Sequence, residues 1–256
     1  MKKNTFIFAI VAILTLGSCD KDKGLEKPKD TLPPLPDETD ICSGIENEIF
    51  RNFCLERFDL DKDGKISPEE ADLVTEINFY VEEDIENLNG IGYFANLESF
   101  TCPEGCIYNI DLHYNTKIIE IADDAFTECC MESFVFPPNV KVIGENAFIS
   151  CSELTEINLP EGVETIGETA FFGCGFENVR IPNSVTTIGD AAFSACENLK
   201  SFDGKFASED KRCLIQDGRL QTFAPAGITE KSITTQTTTS HQLRIRPSTR
   251  AVLSKI

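Results

Sequence analysis

Apolar residues recur along the chain with a period of 22–23. Ala-Phe-x-x-Cys occurs at 125–129, 147–151, 170–174 and 192–196, in steps of 22, 23 and 22 residues. Ile-Gly precedes the last three, at 143–144, 166–167 and 188–189, and Ile121-Ala122 stands in the first. Apolar-Pro pairs recur at Phe136-Pro137, Leu159-Pro160 and Ile181-Pro182, with Val140, Val163 and Val185 following. Met131, Leu154, Phe176 and Leu199 share one more position. A unit this short cannot bury its apolar side alone. Stacked in register, like positions become ladders inside one solenoid. Each coil is predicted to carry a strand at its Ile-x-Leu segment, such as Ile157-Asn158-Leu159. A second extended stretch is expected over Val-x-x-Ile, and a short helical turn over Ala-Phe. Cys129, Cys151, Cys174 and Cys196, one per coil, read as small buried plugs.

The flanks follow other periods. Ile45, Ile49, Phe50, Phe53 and Phe58 lie largely at helical spacing. Residues 59–70 read Asp-Leu-Asp-Lys-Asp-Gly-Lys-Ile-Ser-Pro-Glu-Glu. Against a twelve-position calcium loop, Asp59, Asp61 and Asp63 fall at positions 1, 3 and 5. Gly64 allows the sharp turn at 6, Lys65 offers its backbone carbonyl at 7, and Glu70 closes the site at 12. Calcium takes six to eight hard oxygens, and alternate residues of a tight loop supply them. Ser67 also reads as an N-cap, with Pro68 at the first helical position and Glu70 as the capping-box acid. Glu70 cannot fully serve cap and metal together, and the carboxylate–calcium contact is expected to win. A single loop suggests affinity on the order of 10⁻⁴–10⁻³ M and a structural rather than sensing ion. Leu214-Ile215 and Leu220 to Phe223 flank Asp217-Gly218, which reads as a hairpin.

The repeat resembles the BspA-like leucine-rich repeat, over about 118–204. The looser stretch 77–117 is similar to the irregular repeats that precede such arrays, with Leu97 to Cys102 and Ile110 to Leu112 as successive strands. The 59–70 segment resembles an EF-hand loop. These resemblances imply a β-rich leucine-rich-repeat solenoid, a right-handed superhelix with short helical turns, preceded by a small helical EF-hand-like module. They also imply attachment to other macromolecules, protein or glycan, without identifying them.

The N-terminus supplies an address. Lys2-Lys3 precedes the apolar run Phe6–Leu16, which is too short to span a bilayer and suits a signal peptide. Leu16-Gly17-Ser18-Cys19 resembles a bacterial lipobox, implying lipidation of Cys19 and anchorage to a membrane. Asp20-Lys21-Asp22-Lys23 is similar to the export tag of some surface lipoproteins. The expected organisation is a signal peptide at 1–18, a Pro-rich tether at 19–41 and a calcium module at 42–76. Irregular repeats follow at 77–117, BspA-like repeats with a terminal hairpin at 118–227, and a polar basic tail at 228–256. That tail reads either as a natural polar segment or as a frameshifted one. It shows no terminal cap.

Composition narrows the function. Asp and Glu total 43 against 23 Lys and Arg, a net charge of -20, and all the acids lie within 19–230. Such a body repels nucleic acid. Two histidines leave little for a His-based metal site or catalytic triad. No nucleophile elbow or phosphate loop is present, so no enzyme is expected. Beyond the repeat cysteines, Cys42, Cys54, Cys102, Cys106, Cys130 and Cys213 can pair in an oxidising compartment, in an order the sequence does not fix. Tyr80, Tyr93, Tyr108 and Tyr114 are expected either in the core or lining a groove, with the core favoured. Outward strand residues are Ser133, Val135, Glu156, Asn158, Asn178 and Arg180, a mixed polar face without an aromatic row. The leading expectation is a cell-surface binding or adhesion lipoprotein of the outer membrane. A structural subunit of an outer-membrane complex and a surface hydrolase are the alternatives.

Overall fold

The computed structural model describes residues 31–81, 83–105 and 107–226. The signal peptide, Cys19, Cys106 and the 228–256 tail lie outside the described residues. In chain order the elements are α1 (Glu48–Phe58), α2 (Pro68–Ala71), β1 (Glu76–Asn78), β2 (Ile85–Asn87), β3 (Ser99–Thr101) and β4 (Ile107–Asp111). Then come β5 (Glu120–Ile121), β6 (Ser133–Val135), β7 (Val142–Ile143), β8 (Thr165–Ile166), β9 (Asn178–Ile181), β10 (Thr187–Ile188) and β11 (Ser201–Gly204). β12 (Cys213–Gln216) and β13 (Arg219–Phe223) close the series. Among the described residues no helix is long and apolar enough to cross a membrane.

The short strands stack in parallel, one coil upon the next. One line runs β1-β3 and then β5-β7-β8-β10; the other runs β2-β4-β6 and then β9-β11. The expected successive strands of 97–112 therefore belong to different lines: β3 pairs with β1, while β4 pairs with β2 and β6. The Val-x-x-Ile stretches are extended as expected, with Ile121, Ile143, Ile166 and Ile188 in one register. Ile157–Leu159, expected as a strand, carries no strand assignment, yet its burial still alternates. Ile157 and Leu159 are buried while Glu156 and Asn158 are exposed. The core of this coil is Val140, Ile143, Ala147, Phe148, Cys151, Leu154, Ile157 and Leu159, all buried, while Val142 and Ile149 are half-buried.

The Ile-Gly mark has a steric cause. The Gly167 amide donates to Ile143 O at 2.7 Å, and a Cβ on Gly167 would stand 2.5–2.6 Å from the Gly144 and Glu145 backbone. Only a residue without a side chain allows that approach.

The Ala-Phe segments are turns rather than helices. The residue before each Ala and the residue before each Cys have positive φ: Asp124 and Glu128, Asn146 and Ser150, Thr169 and Gly173, Ala191 and Ala195. A helix would use its own N–H groups internally. Here they point to the next coil instead. Asp124, Phe126 and Glu128 donate to Glu145, Ala147 and Ile149 at 2.8–2.9 Å, and the next coils repeat the pattern. Inside the turns the phenylalanines stack. Phe126–Phe148, Phe148–Phe171 and Phe171–Phe193 each have centroids 5.2 Å apart.

The hairpin covers the last described coil, as its place in the sequence implies. Gln216 of the hairpin accepts from Ile188 N at 3.1 Å and donates to Thr186 O at 2.8 Å, so among the described residues one side-chain amide takes the place of a further strand beside β10. Arg212 donates to Lys200 O, Ala224 O and Ala226 O at 2.5–3.0 Å, tying the hairpin to the coil. The hairpin turn is as expected, with Asp217 and Gly218 both at positive φ. At the other end, residues 31–41 are not a free tether but lie against the folded body. Leu35 packs against the core, and Asp40 bonds to the loop behind it. Sparse apolar residues suffice because the folded body offers a ready surface.

Candidate functional site

The acidic loop is positioned by its two flanking helices. Asn47 caps α1 by accepting from Phe50 N at 2.9 Å, and α1 buries Phe50 and Cys54. Ile49, expected on the apolar face, is exposed at 37%. The loop then turns through Lys62 and Gly64, both at positive φ. Asp59 accepts from Lys62 N and Gly64 N at 2.7 and 2.9 Å, while Asp61 and Asp63 accept from Asp63 N and Lys65 N at 3.1 and 2.9 Å. One carboxylate oxygen from each of Asp59, Asp61 and Asp63 lies within 4.8 Å of the others.

Glu70 stands outside that group. It forms the expected capping box: Ser67 Oγ accepts from Glu70 N at 3.2 Å, and Glu70 Oε2 accepts from Ser67 N and Oγ at 2.9 Å. Its Oε1 accepts from Leu60 N and Asp61 N at 2.7 and 3.3 Å, so the same carboxylate also reaches the loop's start. The Ser67 and Leu60 amides hold this carboxyl below the usual glutamate range. Lys65 directs its ammonium to Asp37 at 3.0 Å, an exposed pair.

Sequence reasoning missed what backs the loop. Ile66 is buried, and its N–H donates to Asp40 Oδ1 at 3.1 Å while its carbonyl accepts from Ile41 N at 2.8 Å. Asp40 also accepts from Cys42 N at 2.9 Å. The Asp40-Ile41 pair thus occupies the back of the loop, where no second loop is present in the sequence. The signal was an Asp before a short turn, too common to single out. The donor set fits a calcium ion: three hard carboxylates already converge, and a fourth lies one cap contact away.

The second candidate is the outward face of the β2-β4-β6 and β9-β11 line. Asn109 and Ser133 pair across coils through a 2.7 Å hydrogen bond, as do Asn178 and Ser201. Arg180 binds Glu161 at 2.6 Å, Lys200 binds Glu177 at 2.7 Å and Lys211 binds Asp203 at 3.2 Å, all exposed. Such pairs contribute about 0–1 kcal/mol each, so this face is free of any large structural task. Val135 is half-buried, Glu156 and Asn158 exposed.

The tyrosines are not core residues. Tyr80 is exposed at 61%, and Tyr93, Tyr108 and Tyr114 are half-buried. The repeat cysteines are buried as expected. Each thiol donates to a backbone carbonyl of the coil before it: Cys129 to Cys102, Cys151 to Phe126, Cys174 to Phe148 and Cys196 to Phe171, at 2.8–3.3 Å.

Residues 119–223 match the BspA type leucine-rich repeat region, in six copies. No curated protein matches the chain. Among solved structures, a leucine-rich repeat protein from Bacteroides ovatus is 26% identical, with a TM-score of 0.35, over 52% of this chain and 35% of that one. A leucine-rich repeat protein from Eubacterium ventriosum is 20% identical, with a TM-score of 0.38, over 68% and 43%. The T. pallidum leucine-rich repeat protein is 24% identical, with a TM-score of 0.27, over 49% and 51%. The chain thus spans about a third to a half of the length of these structures. The described residues form a β-solenoid, and residues 119–223 of it match the BspA type leucine-rich repeat region.

Proposed function

We propose that this protein is a lipid-anchored cell-surface binding protein whose solenoid presents its outward polar strand face to a protein or glycan ligand. The observation that carries this reading is the polar face built around Asn109, Ser133, Asn178, Arg180 and Ser201, on a fold whose repeats supply rigid display. Leucine-rich-repeat solenoids are protein-binding or adhesion scaffolds, and the role is binding rather than catalysis. Cys19 is the lipidated residue, and the outer membrane is the location. Calcium is held by Asp59, Asp61 and Asp63 with the Lys65 carbonyl and Glu70; it neutralises three converged carboxylates and staples the module in front of the repeats.

The test is direct binding of the chain, carrying Cys19→Ser for solubility, to immobilised host-matrix proteins and to a glycan array. Binding that is lost in Asn178→Ala, Arg180→Glu at an unchanged melting temperature supports the proposal. Association only with outer-membrane proteins of the same cell, insensitive to those substitutions, supports a structural subunit instead. Separately, Cys19→Ser is expected to release the protein from the envelope fraction. Retention as tight as wild type sinks the anchor.

A further inference from the structure

Residues 31–36 read Thr-Leu-Pro-Pro-Leu-Pro and adopt no regular helix or strand. Their burial has a period of three: Leu32 and Leu35 are half-buried, while Thr31, Pro33, Pro34 and Pro36 are exposed. Three residues per turn is the period of polyproline II, and three prolines in six residues pre-set it.

The surface beneath matches that shape. A Cβ on Gly92 would lie 2.7 Å from Leu32 Cδ2, and a Cβ on Gly44 would lie 2.8 Å from Leu35 Cδ2. Leu32 therefore occupies the space that a side chain on Gly92 would fill, and Leu35 shares the space over Gly44 with the Tyr93 ring, which lies nearer still. Tyr93 and Tyr114 stand beside these floors and donate their hydroxyls to Pro33 O at 2.8 Å and Thr31 O at 3.1 Å. A polyproline II segment leaves its carbonyls free and, where proline-rich, has few N–H groups to satisfy. A groove that offers donors suits it. Burial and the neighbouring Tyr114 raise the Tyr93 phenol above its ordinary range, in keeping with two phenols at one site. The segment then ends on Asp37, whose N–H donates to Ser43 Oγ at 3.0 Å and whose carboxylate binds Lys65.

We propose that Gly44, Gly92, Tyr93 and Tyr114 form a peptide-binding groove for a Leu-x-x-Leu segment in polyproline II conformation, occupied here in cis by residues 31–36. Specificity comes from two leucines three residues apart and two carbonyls two residues apart. Being tethered, the cis segment competes at an effective concentration on the order of millimolar, so it shuts out a free peptide of similar affinity.

The test uses the full chain and a fluorescein-labelled peptide of residues 31–37, read by anisotropy. The paired substitution Leu32→Asp, Leu35→Asp vacates the groove. Leu32→Ser, Leu35→Ser replaces it if the aspartate pair fails to fold. The vacated chain is expected to bind the peptide saturably, at least tenfold more tightly than wild type. Adding Tyr93→Phe and Tyr114→Phe to the vacated chain should weaken binding several-fold. A vacated chain that melts like wild type yet shows no saturable binding up to millimolar peptide overturns the proposal. So does equal binding to the wild-type chain.

Discussion

The Cys151 thiol donates to the Phe126 carbonyl oxygen, 3.1 Å away and one coil earlier. The same bond joins Cys174 to Phe148 and Cys196 to Phe171. A cysteine is thus both plug and cross-coil donor, and burial keeps it protonated. The Cys196 thiol is pushed up to about 12, and Cys151 and Cys174 are also raised, with burial the main cause in each. An unfolded thiol ionises near 8.5. The folded state therefore holds its protons where the unfolded state has lost them. Stability is fully present below the unfolded value and falls as pH rises from about 9 towards 12. Each thiol contributes a slope of up to about 1.4 kcal/mol per pH unit in that window. Urea unfolding at pH 8, 9 and 10 checks this, and a flat profile that stays flat in a Cys174→Ala variant rules it out.

The glycine column gives a second expectation. A Cβ at residue 167 meets backbone at 2.5–2.6 Å, and backbone cannot swing aside as a side-chain tip can. Gly167→Ala should force neighbouring coils apart and cost about 2–3 kcal/mol, the upper range of overpacking. Gly218→Ala makes the contrast: its Cβ would meet nothing within 4 Å, so only its positive φ is penalised. Equal losses of melting temperature in the two variants would refute the stacking argument.

The cap at the last coil supplies a third. Gln216 satisfies one donor and one acceptor on β10 through a single amide. Gln216→Ala should cost about 1–2 kcal/mol by leaving both partly sheltered groups unbonded. Gln216→Glu retains the acceptor for Ile188 N but sets a carboxylate against Thr186 O, so it should not restore stability. Denaturant midpoints at neutral pH separate the two, and a Gln216→Glu variant as stable as wild type contradicts the role.

Much of this architecture was legible because identical neighbours impose identical constraints. The Phe and Cys columns, the Ile-Gly mark and the hairpin turn each followed from a repeated offset in sequence. What was misread depended on contacts with unlike neighbours. The Ala-Phe turn looks helical in isolation. Only the next coil's carbonyls, such as Ala147 O above Phe126 N, explain why left-handed residues flank it. Residues 31–36 look like a solvated tether until the glycine floors at 44 and 92 are in place. Gln216 carries no mark of a cap in sequence, because any polar residue can stand in a hairpin. In the acidic loop the three aspartates were legible from spacing. The backing by Asp40 and Ile41 was not, since it joins residues 26 and 25 apart in sequence.

The acidic loop gives the last expectation. Asp59, Asp61 and Asp63 hold oxygens within 4.8 Å of one another, a set of like charges that a cation can join. Millimolar calcium should therefore raise the melting temperature, and Asp59→Ala should abolish that rise. Glu70 divides the question further, because its carboxylate serves both the Ser67 cap and the amides of Leu60 and Asp61. Glu70→Gln keeps an acceptor for some of these bonds but removes a charge the ion would use. It should lower stability modestly without calcium, as a weakened cap does, and lose most of the calcium response. The calcium-free protein should also lose the Glu70 contribution as pH falls through the carboxyl's folded-state value, because that value is depressed and the interaction exists only in the charged form. Calorimetric titration of wild type, Asp59→Ala and Glu70→Gln decides the matter. No heat of binding to the wild-type chain at millimolar calcium leaves the loop as a hydrogen-bonded turn and nothing more.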